Sequence, residues 1–456
     1  MTQDKTNTGL DFERVLPIFM LVLVDVLGLT VILPILHLYA AVYGATPLEI
    51  GLVIAAFPLA QLIGLPLMGN LSDRFGRKPL LLISQVTTFL AFIMLGLANS
   101  LTIIILSRVI DGIFGANIST AQAALSDITT EENRTQGLGL TGAAFGIGFI
   151  LGPIISLLTL EFTDNLAMPA FISAAYSFLS ILLTVFFFKE TLPPEKRKSA
   201  AVKSPVPKSS GIRAMLQNRQ ITILLVIMFA QQVVFFGFES LLGLFTLSRL
   251  GMLGQGNAVL FVVVGLTLVL VQARKIGPWS KKYGERNLVY AALALLAGGL
   301  ILLSFTPEQP HPFYVQQIAQ NKLAAQAETT TTEALIGELS VTLPPGGNNG
   351  LGGILWLFVI VIPISIGAGL IRPSLNSLMT KQVQATEYGR LMGISASFVS
   401  AANAIAPLIA AAIFQHYGTT TPFLIGGLLM AILLVISLII VSPVPKKAPL
   451  PAEVAG

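Results

Sequence analysis

The chain has no cysteine, which excludes a disulfide, a thiolate nucleophile and an iron–sulfur cluster and leaves its redox compartment open. Charge is almost as scarce. Only 11% of the residues are Asp, Glu, Lys or Arg, where a soluble domain carries about a quarter. The three histidines, His37, His311 and His416, are scattered without metal-ligand spacing, so no metal site is expected. No Gly-x-x-x-x-Gly-Lys phosphate loop occurs, which excludes ATP as an energy source through this chain. No signature of a soluble enzyme or of a bound cofactor is present.

Apolar sequence fills the space that charge leaves. The composition is 54% hydrophobic with a mean hydropathy of +0.81. Runs of roughly 20 apolar residues, each enough to cross a hydrocarbon core about 30 Å thick, recur along nearly the whole length. This is the pattern of an all-α integral membrane protein. Twelve spans are expected, near 15–40, 48–70, 79–98, 101–125, 136–160, 168–188, 220–247, 257–275, 287–305, 351–377, 388–413 and 421–443. The stretch "MTQDKTNTGLDFERV" leads into an apolar run too long for a cleavable signal peptide, and that run is read as the first span.

The chain divides into two six-helix halves, 1–190 and 219–444, joined by a cytoplasmic linker over 191–218 and followed by a short tail, 445–456. The linker is rich in Lys, Pro and Ser and reads as flexible. The net charge of +5 would point to nucleic acid only if the cations shared one exposed face. They fall in short loops instead, which is a topological signal. With both termini in the cytoplasm, the outer loops hold only Arg249 and Lys322, and Arg108 and Arg372 lie inside spans. The partners expected are therefore the lipid bilayer and a small molecule, with no nucleic acid and a monomeric chain. Residues 306–350 form a long outward insertion, read either as a tolerated surface loop or as a lid or partner-binding segment.

One short stretch concentrates the charge. "GNLSDRFGRKPL", 69–80, joins the second and third spans, and "GPWSKKYGERNL", 277–288, stands at the same place in the second half. Gly69 aligns with Gly277, Ser72 with Ser280 and Gly76 with Gly284, so the halves are an internal repeat. Arg74 aligns with Lys282. Two positions reverse sign: Asp73 becomes Lys281, and Arg77 becomes Glu285. A substrate path between the two repeats follows from such a design. Gly69 leaves room for another helix, and Asp73 suits the positive end of a neighbouring helix.

"GNLSDRFGRKPL" resembles the signature loop of the major facilitator superfamily, and the likeness extends over nearly the whole chain apart from 306–350. The resemblance implies twelve helices around a central path. It also implies a latch on the cytoplasmic face, with Asp73 meeting the start of the eleventh helix near Tyr388 to Gly393 and Arg77 pairing with Asp127. The run "VDVLGLTVILPIL" resembles loosely that of the tetracycline-type efflux branch, whose members carry an Asp in the first span followed by Gly and Pro, as Asp25, Gly28 and Pro34 do here. In that branch the fourth-span Arg, here Arg108, is implicated in proton transfer. The run "GAAFGIGFILGPIISLL" in the fifth span resembles the antiporter motif, with Gly148, Gly152 and Pro153 shaping the interface between halves.

The charges inside spans are functional candidates because each costs about 2.5–3.5 kcal/mol to insert. They are Asp25, Arg108, Asp111, Glu239 and Arg372. Asp25 either bonds a Ser, a Thr or a water or serves as a proton or substrate site. Arg108 and Asp111 share a helix face at i, i+3 and either neutralise one another or move a proton, with Asn117 closing the same run. Glu239 lies near Gln231, Gln232, Phe235 and Phe236. An acid among aromatics suits a lipophilic cation, although each Phe alone reads equally as core or lipid-facing. Arg372, with Asn376, is a counter-charge for an anionic group.

The expectation is a proton-coupled exporter of lipophilic drugs in a cell membrane, a bacterial inner membrane fitting best. The alternatives are a carrier of metabolites or organic anions and a membrane sensor that does not transport.

Overall fold

The computed structural model describes residues 12–115, 117–129, 134–163, 165–192, 217–321, 343–383 and 388–440. Among them every extended element is a helix. The first half contains α1 Phe12–Ile32, α2 Leu36–Val42, α3 Pro47–Phe75, α4 Arg77–Gly96, α5 Leu101–Phe114, α6 Asn117–Ile128, α7 Arg134–Thr163 and α8 Met168–Phe186. The second contains α9 Arg219–Leu250, α10 Gly254–Leu270, α11 Ile276–Tyr283, α12 Glu285–Ser304, α13 Gly352–Thr380, α14 Tyr388–Tyr417 and α15 Thr421–Ile440.

Eleven helical stretches among the described residues are long and apolar enough to cross a membrane, taking α5 and α6 as one. A shorter apolar helix, Gly256–Leu270, stands where the eighth span is expected. It continues through a π-helical turn, Val271–Lys275, into α11, so the chain stays helical from Gly254 to Tyr283. Large apolar side chains face outward along the spans, Ile63, Val359 and Ile439 among them. That arrangement suits a hydrocarbon solvent and would be costly in water.

Local sequence sets the helix ends. Thr46 and Glu49 form a capping box ahead of α3, with Pro47 at its first position. The Asn218 side chain caps the amides of Gln220 and Ile221 at the start of α9, and Gly251 closes it at φ +63°.

Three expected boundaries move. The first span ends at Ile32, before Pro34, and the chain resumes as α2, whose seven residues are all buried. The fourth span is broken after Phe114, where the Gly115 amide donates to the Asp111 carbonyl at 2.6 Å. The signature stretch, expected as a loop, is mostly helix: α3 runs through Gly69 to Phe75, and one glycine makes the whole turn.

Candidate functional site

That turn is built the same way in both halves. Gly76 sits between α3 and α4 at φ +106°, and Gly284 between α11 and α12 at φ +78°. The Gly76 amide donates to the Ser72 carbonyl at 3.0 Å and the Gly284 amide to the Ser280 carbonyl at 2.9 Å. A Cβ would strain either corner, which explains why glycine recurs there.

Arg77, at the start of α4, is 7% exposed. Its Nε lies 2.9 Å from Asp127 Oδ2 and its Nη1 2.6 Å from Asp73 Oδ1, and Nη1 also donates to Ser72 Oγ at 3.0 Å. Glu190 accepts from the Arg77 and Lys78 amides at 2.9 and 3.1 Å and so caps α4, where the helix dipole favours an anion. Arg74 is exposed, with its guanidinium 5.3 Å over the Phe75 ring. In the second half, Glu285 starts α12 and meets Lys381 Nζ at 2.6 Å just beyond α13. The pair that joins the third helix of a half to the end of the fourth therefore exists twice, with both signs reversed.

The other part of the latch makes no contact across the halves among the described residues. Asp73 bonds to Arg77, and its side chain stays 55% exposed. No described atom lies within 4 Å of where a Cβ would stand on Gly69, Gly277, Gly284 or Gly393. A close helix approach at Gly69 is not seen among the described residues, and the partner side chains of Tyr388 to Arg390 lie outside them.

The opposite end is sealed. A Cβ on Gly51 of α3 would lie 2.5 Å from Ala411 Cβ and 2.8 Å from the Pro407 carbonyl of α14. Gly254 of α10 faces Leu160, Leu38 and Ile35 of the first half. The His37 ring, 4% exposed on α2, rests on Gly243 of α9. It lies 3.3 Å from Asn257 Nδ2, and Asn257 is hydrogen-bonded in turn to Thr246. The halves therefore touch at this end, whereas at the other no contact between Asp73 or Gly69 and the second half is seen among the described residues.

Within the first half, the charges are gathered and buried. Arg108 and Asp111 are each 3% exposed. Arg108 Nη1 lies 3.6 Å from Asp111 Oδ2, Thr88 Oγ1 donates to Asp111 Oδ1 at 2.8 Å, and the guanidinium stands 5.3 Å over the Phe92 ring. Arg108 Nη2 and Asn117 Oδ1 are buried without hydrogen-bond partners. Asp25 of α1 faces Ser180 of α8 rather than the second half. Both its carboxylate oxygens are buried, and neither has a hydrogen bond of good geometry.

The second half is looser. Glu239 is half-buried on α9 with no hydrogen bond or ion pair among the described residues. Gln231 is 2% exposed, and Gln232 Nε2 donates to Asn403 Oδ1 of α14 at 2.7 Å. The aromatics divide. Phe235 and Phe236 are half-buried, whereas Phe238 packs with Phe245 and Phe423 in the core, Phe245 and Phe423 having ring centroids 4.7 Å apart. Arg372 is exposed on α13 without an ion pair among the described residues. Asn376 Oδ1 accepts from Ser395 Oγ at 3.2 Å.

One expected interface is corrected. Gly148 and Gly152 of α7 face α1 of their own half: a Cβ on Gly148 would meet Val26, and one on Gly152 would lie 2.6 Å from Thr30 Cβ. The contact between halves is made by other faces of α7: a Cβ on Gly146 would lie 3.0 Å from Val269 Cγ2, and one on Gly265 of α10 would lie 2.6 Å from the Phe149 carbonyl oxygen. Gly152 precedes Pro153 inside α7, so the Gly–Pro pair packs within the half. Sequence reasoning missed Gln85, Thr88, Ser180, His37, Asn257 and Lys381. A small polar residue inside an apolar run was the available signal for the first five. No cluster of three or more His, Asp or Glu among the described residues is placed to hold a metal.

Two repeated helical bundles that meet at one end, with charges buried inside membrane-crossing helices, define a multi-pass membrane transporter. The sequence profile of the Major Facilitator Superfamily matches residues 18–316 and 337–456, and the chain belongs to that family. It is 27% identical over 399 residues to "Tetracycline resistance protein, class B" of Escherichia coli, which covers 86% of each chain. It is 23% identical over 417 residues to "Multidrug resistance protein 2" of Bacillus subtilis, covering 90% of this chain and 91% of that one. Among solved structures, the human organic anion transporter MFSD10 (TETRAN) superposes with a TM-score of 0.63 at 22% identity, over 93% of this chain and 99% of that one.

Proposed function

We propose that the protein exports lipophilic drugs in exchange for protons by alternating access, as a monomer in a bacterial inner membrane. The observation that carries this reading is the pair of unpartnered acids in opposite halves, Asp25 and Glu239, within helices that cross the membrane. An acid inside a membrane-crossing helix without a counter-charge is costly, so each acid is suited to receive a proton or a cation. With the orientation given by Lys and Arg, the end bearing Asp73 faces the cytoplasm and the sealed end faces outward. Drug enters from the cytoplasm or inner leaflet, and its positive or dipolar group meets Glu239 between Phe235 and Phe236. Outward exposure follows when the contacts at Gly51, Gly243 and Gly254 part. An external proton then replaces the drug and is released inward on the return. Names of relatives that include tetracycline and multidrug resistance support the choice of substrate class.

The test is proton flux in proteoliposomes under an imposed pH gradient, on adding tetracyclines, lipophilic cations or small organic anions. Drug-driven proton release that is lost in Asp25→Asn or Glu239→Gln is expected. A second reading is favoured by Arg372, an exposed cation without an ion pair among the described residues. Flux evoked only by organic anions, and lost in Arg372→Ala, would replace drug export with organic-anion transport.

A further inference from the structure

Ser180 faces Asp25, neither of whose carboxylate oxygens has a hydrogen bond of good geometry among the described residues. Ser180 and Gln85, on α8 and α4, are both fully buried, and Gln85 Nε2 donates to Ser180 Oγ at 2.8 Å. Gln85 is tied to α8 a second time, since Ser177 Oγ donates to the Gln85 carbonyl at 3.1 Å. Several hydroxyls in the helices of this half spend their proton on their own backbone, as Thr87 on α4 and Thr159 and Thr163 on α7 do. Ser180 makes no such bond. Its oxygen accepts from Gln85, and its single O–H is left uncommitted. Among the described residues Gln85 Oε1 and both oxygens of Asp25 are unsatisfied acceptors, and the hydroxyls of Ser173 and Thr184 on α8 are unsatisfied as well.

We propose that Ser180, oriented by Gln85, is the positioning residue for the Asp25 carboxyl and supplies the hydrogen bond that allows the ionised form to exist inside the first half. This rests on reading Asp25 as a proton site. When Asp25 is ionised, the Ser180 hydroxyl donates to it, while the Gln85 amide holds the hydroxyl oxygen in place. When Asp25 is neutral, its own O–H donates to Gln85 Oε1 or to Ser180 Oγ. The neighbouring helices carry further charged groups, of which Arg108 keeps Nη2 without a hydrogen bond among the described residues. Asp111 and Arg108 pair with each other on α5, Asp127 on α6 pairs with Arg77, and Glu161 lies at the exposed far end of α7.

The experiment is an infrared pH titration of the purified protein in liposomes, following the protonated-carboxyl band that is lost in Asp25→Asn. Ser180→Ala should move the pH of half-titration up by about one unit, a tenfold change in the ionisation constant, because it removes the donor for the ionised form. Gln85→Leu should move it in the same direction by less, and Ser180→Thr, which keeps a hydroxyl, should restore it. If Ser180 and Gln85 only hold α4 to α8, all three variants change thermal stability and none moves the titration, which would overturn the proposal. A wild-type band unaffected by Asp25→Asn would also overturn it. A shifted titration in a protein that shows no drug-driven flux would uphold this role and reject the drug-export reading, so the two failures are distinguishable.

Discussion

Truncating Arg77 measures what holds the corner between α3 and α4, and the geometry ranks its two acids against their distances. Asp73 is the nearer at 2.6 Å, but its side chain is 55% exposed; Asp127 lies at 2.9 Å and is 19% exposed. Two unit charges about 4 Å apart attract by ~4 kcal/mol at an effective dielectric near 20. Desolvation returns most of that for the better-buried pair, and solvent screening removes most of it for the exposed one. A coupling energy of about 1–2 kcal/mol is expected for Arg77 with Asp127 and below about 0.5 kcal/mol for Arg77 with Asp73. Arg77→Ala alone should cost more, about 3 kcal/mol, because it also strips a donor from Ser72, which is 1% exposed. The assay is a pair of double-mutant cycles on detergent-purified protein, using Arg77→Ala with Asp127→Ala and with Asp73→Ala, read by denaturant unfolding. A coupling to Asp73 as large as that to Asp127 would refute the argument that burial outweighs a 0.3 Å difference in distance.

Gly76→Ala and Gly284→Ala each force a side chain to positive φ, at +106° and +78°, and should destabilise by about 1–3 kcal/mol; unfolding midpoints of the two variants give the values. Gly243→Leu drives a side chain into the His37 ring and should hold the sealed end open. Because the chain has no native cysteine, Ser240→Cys gives a clean readout, and its labelling by an external membrane-impermeant thiol reagent should rise several-fold in that background. An unchanged rate would mean that the seal lies elsewhere. In the outer insertion, the His311 amide donates to the Leu250 carbonyl at 3.1 Å and its ring stands against Tyr314. Burial holds the His311 imidazole below its usual range, opposed by a backbone hydrogen bond at Gly251. The unfolded segment therefore binds the proton more readily, and stability is lost as pH falls through and below the ordinary histidine range near 6.5. Hydrogen exchange over 306–321 should quicken between pH 7.5 and about 5.5 in the wild type, and His311→Asn should flatten that dependence.

The fold was legible because hydrophobic length is a property of consecutive residues, and eleven of the twelve expected spans have a helical stretch long and apolar enough to cross. The twelfth, α10, differs only because a π turn interrupts its register at Val271. Charges inside spans were legible for a related reason, since Asp25, Arg108, Asp111, Glu239 and Arg372 each interrupt an apolar run. What they face was not. Spacing assigns residues to a common helix face, as it does Arg108 with Asp111 and Gly148 with Gly152, but it leaves the neighbour of that face unspecified. Gly148 and Gly152 turn toward α1, and the seam between halves falls to Gly146 and Gly265. Asp25 likewise turns toward α8, where Ser180 is one of several serines in an apolar helix and nothing local marks it out.

The reversed charges in the repeat carried more information than composition could. Arg77 becoming Glu285 is unfavourable if the partner at the end of the fourth helix keeps its sign, because a like-charged pair would then share a partly buried corner. The partner must therefore reverse as well, which points to a cation just after the tenth expected span. Lys381 is there, 2.6 Å from Glu285. The third reversal behaves differently. Asp73 pairs with Arg77, whereas its counterpart Lys281 makes no ion pair among the described residues, so the Glu285 corner rests on Lys381 and Ser377. With side chains 20% and 45% exposed, the Glu285–Lys381 coupling should fall near 0.5 kcal/mol, below that of Arg77 with Asp127. The two halves then share a geometry while differing in how firmly each corner is held, and Lys381→Ala should cost less than Asp127→Ala in the same unfolding assay.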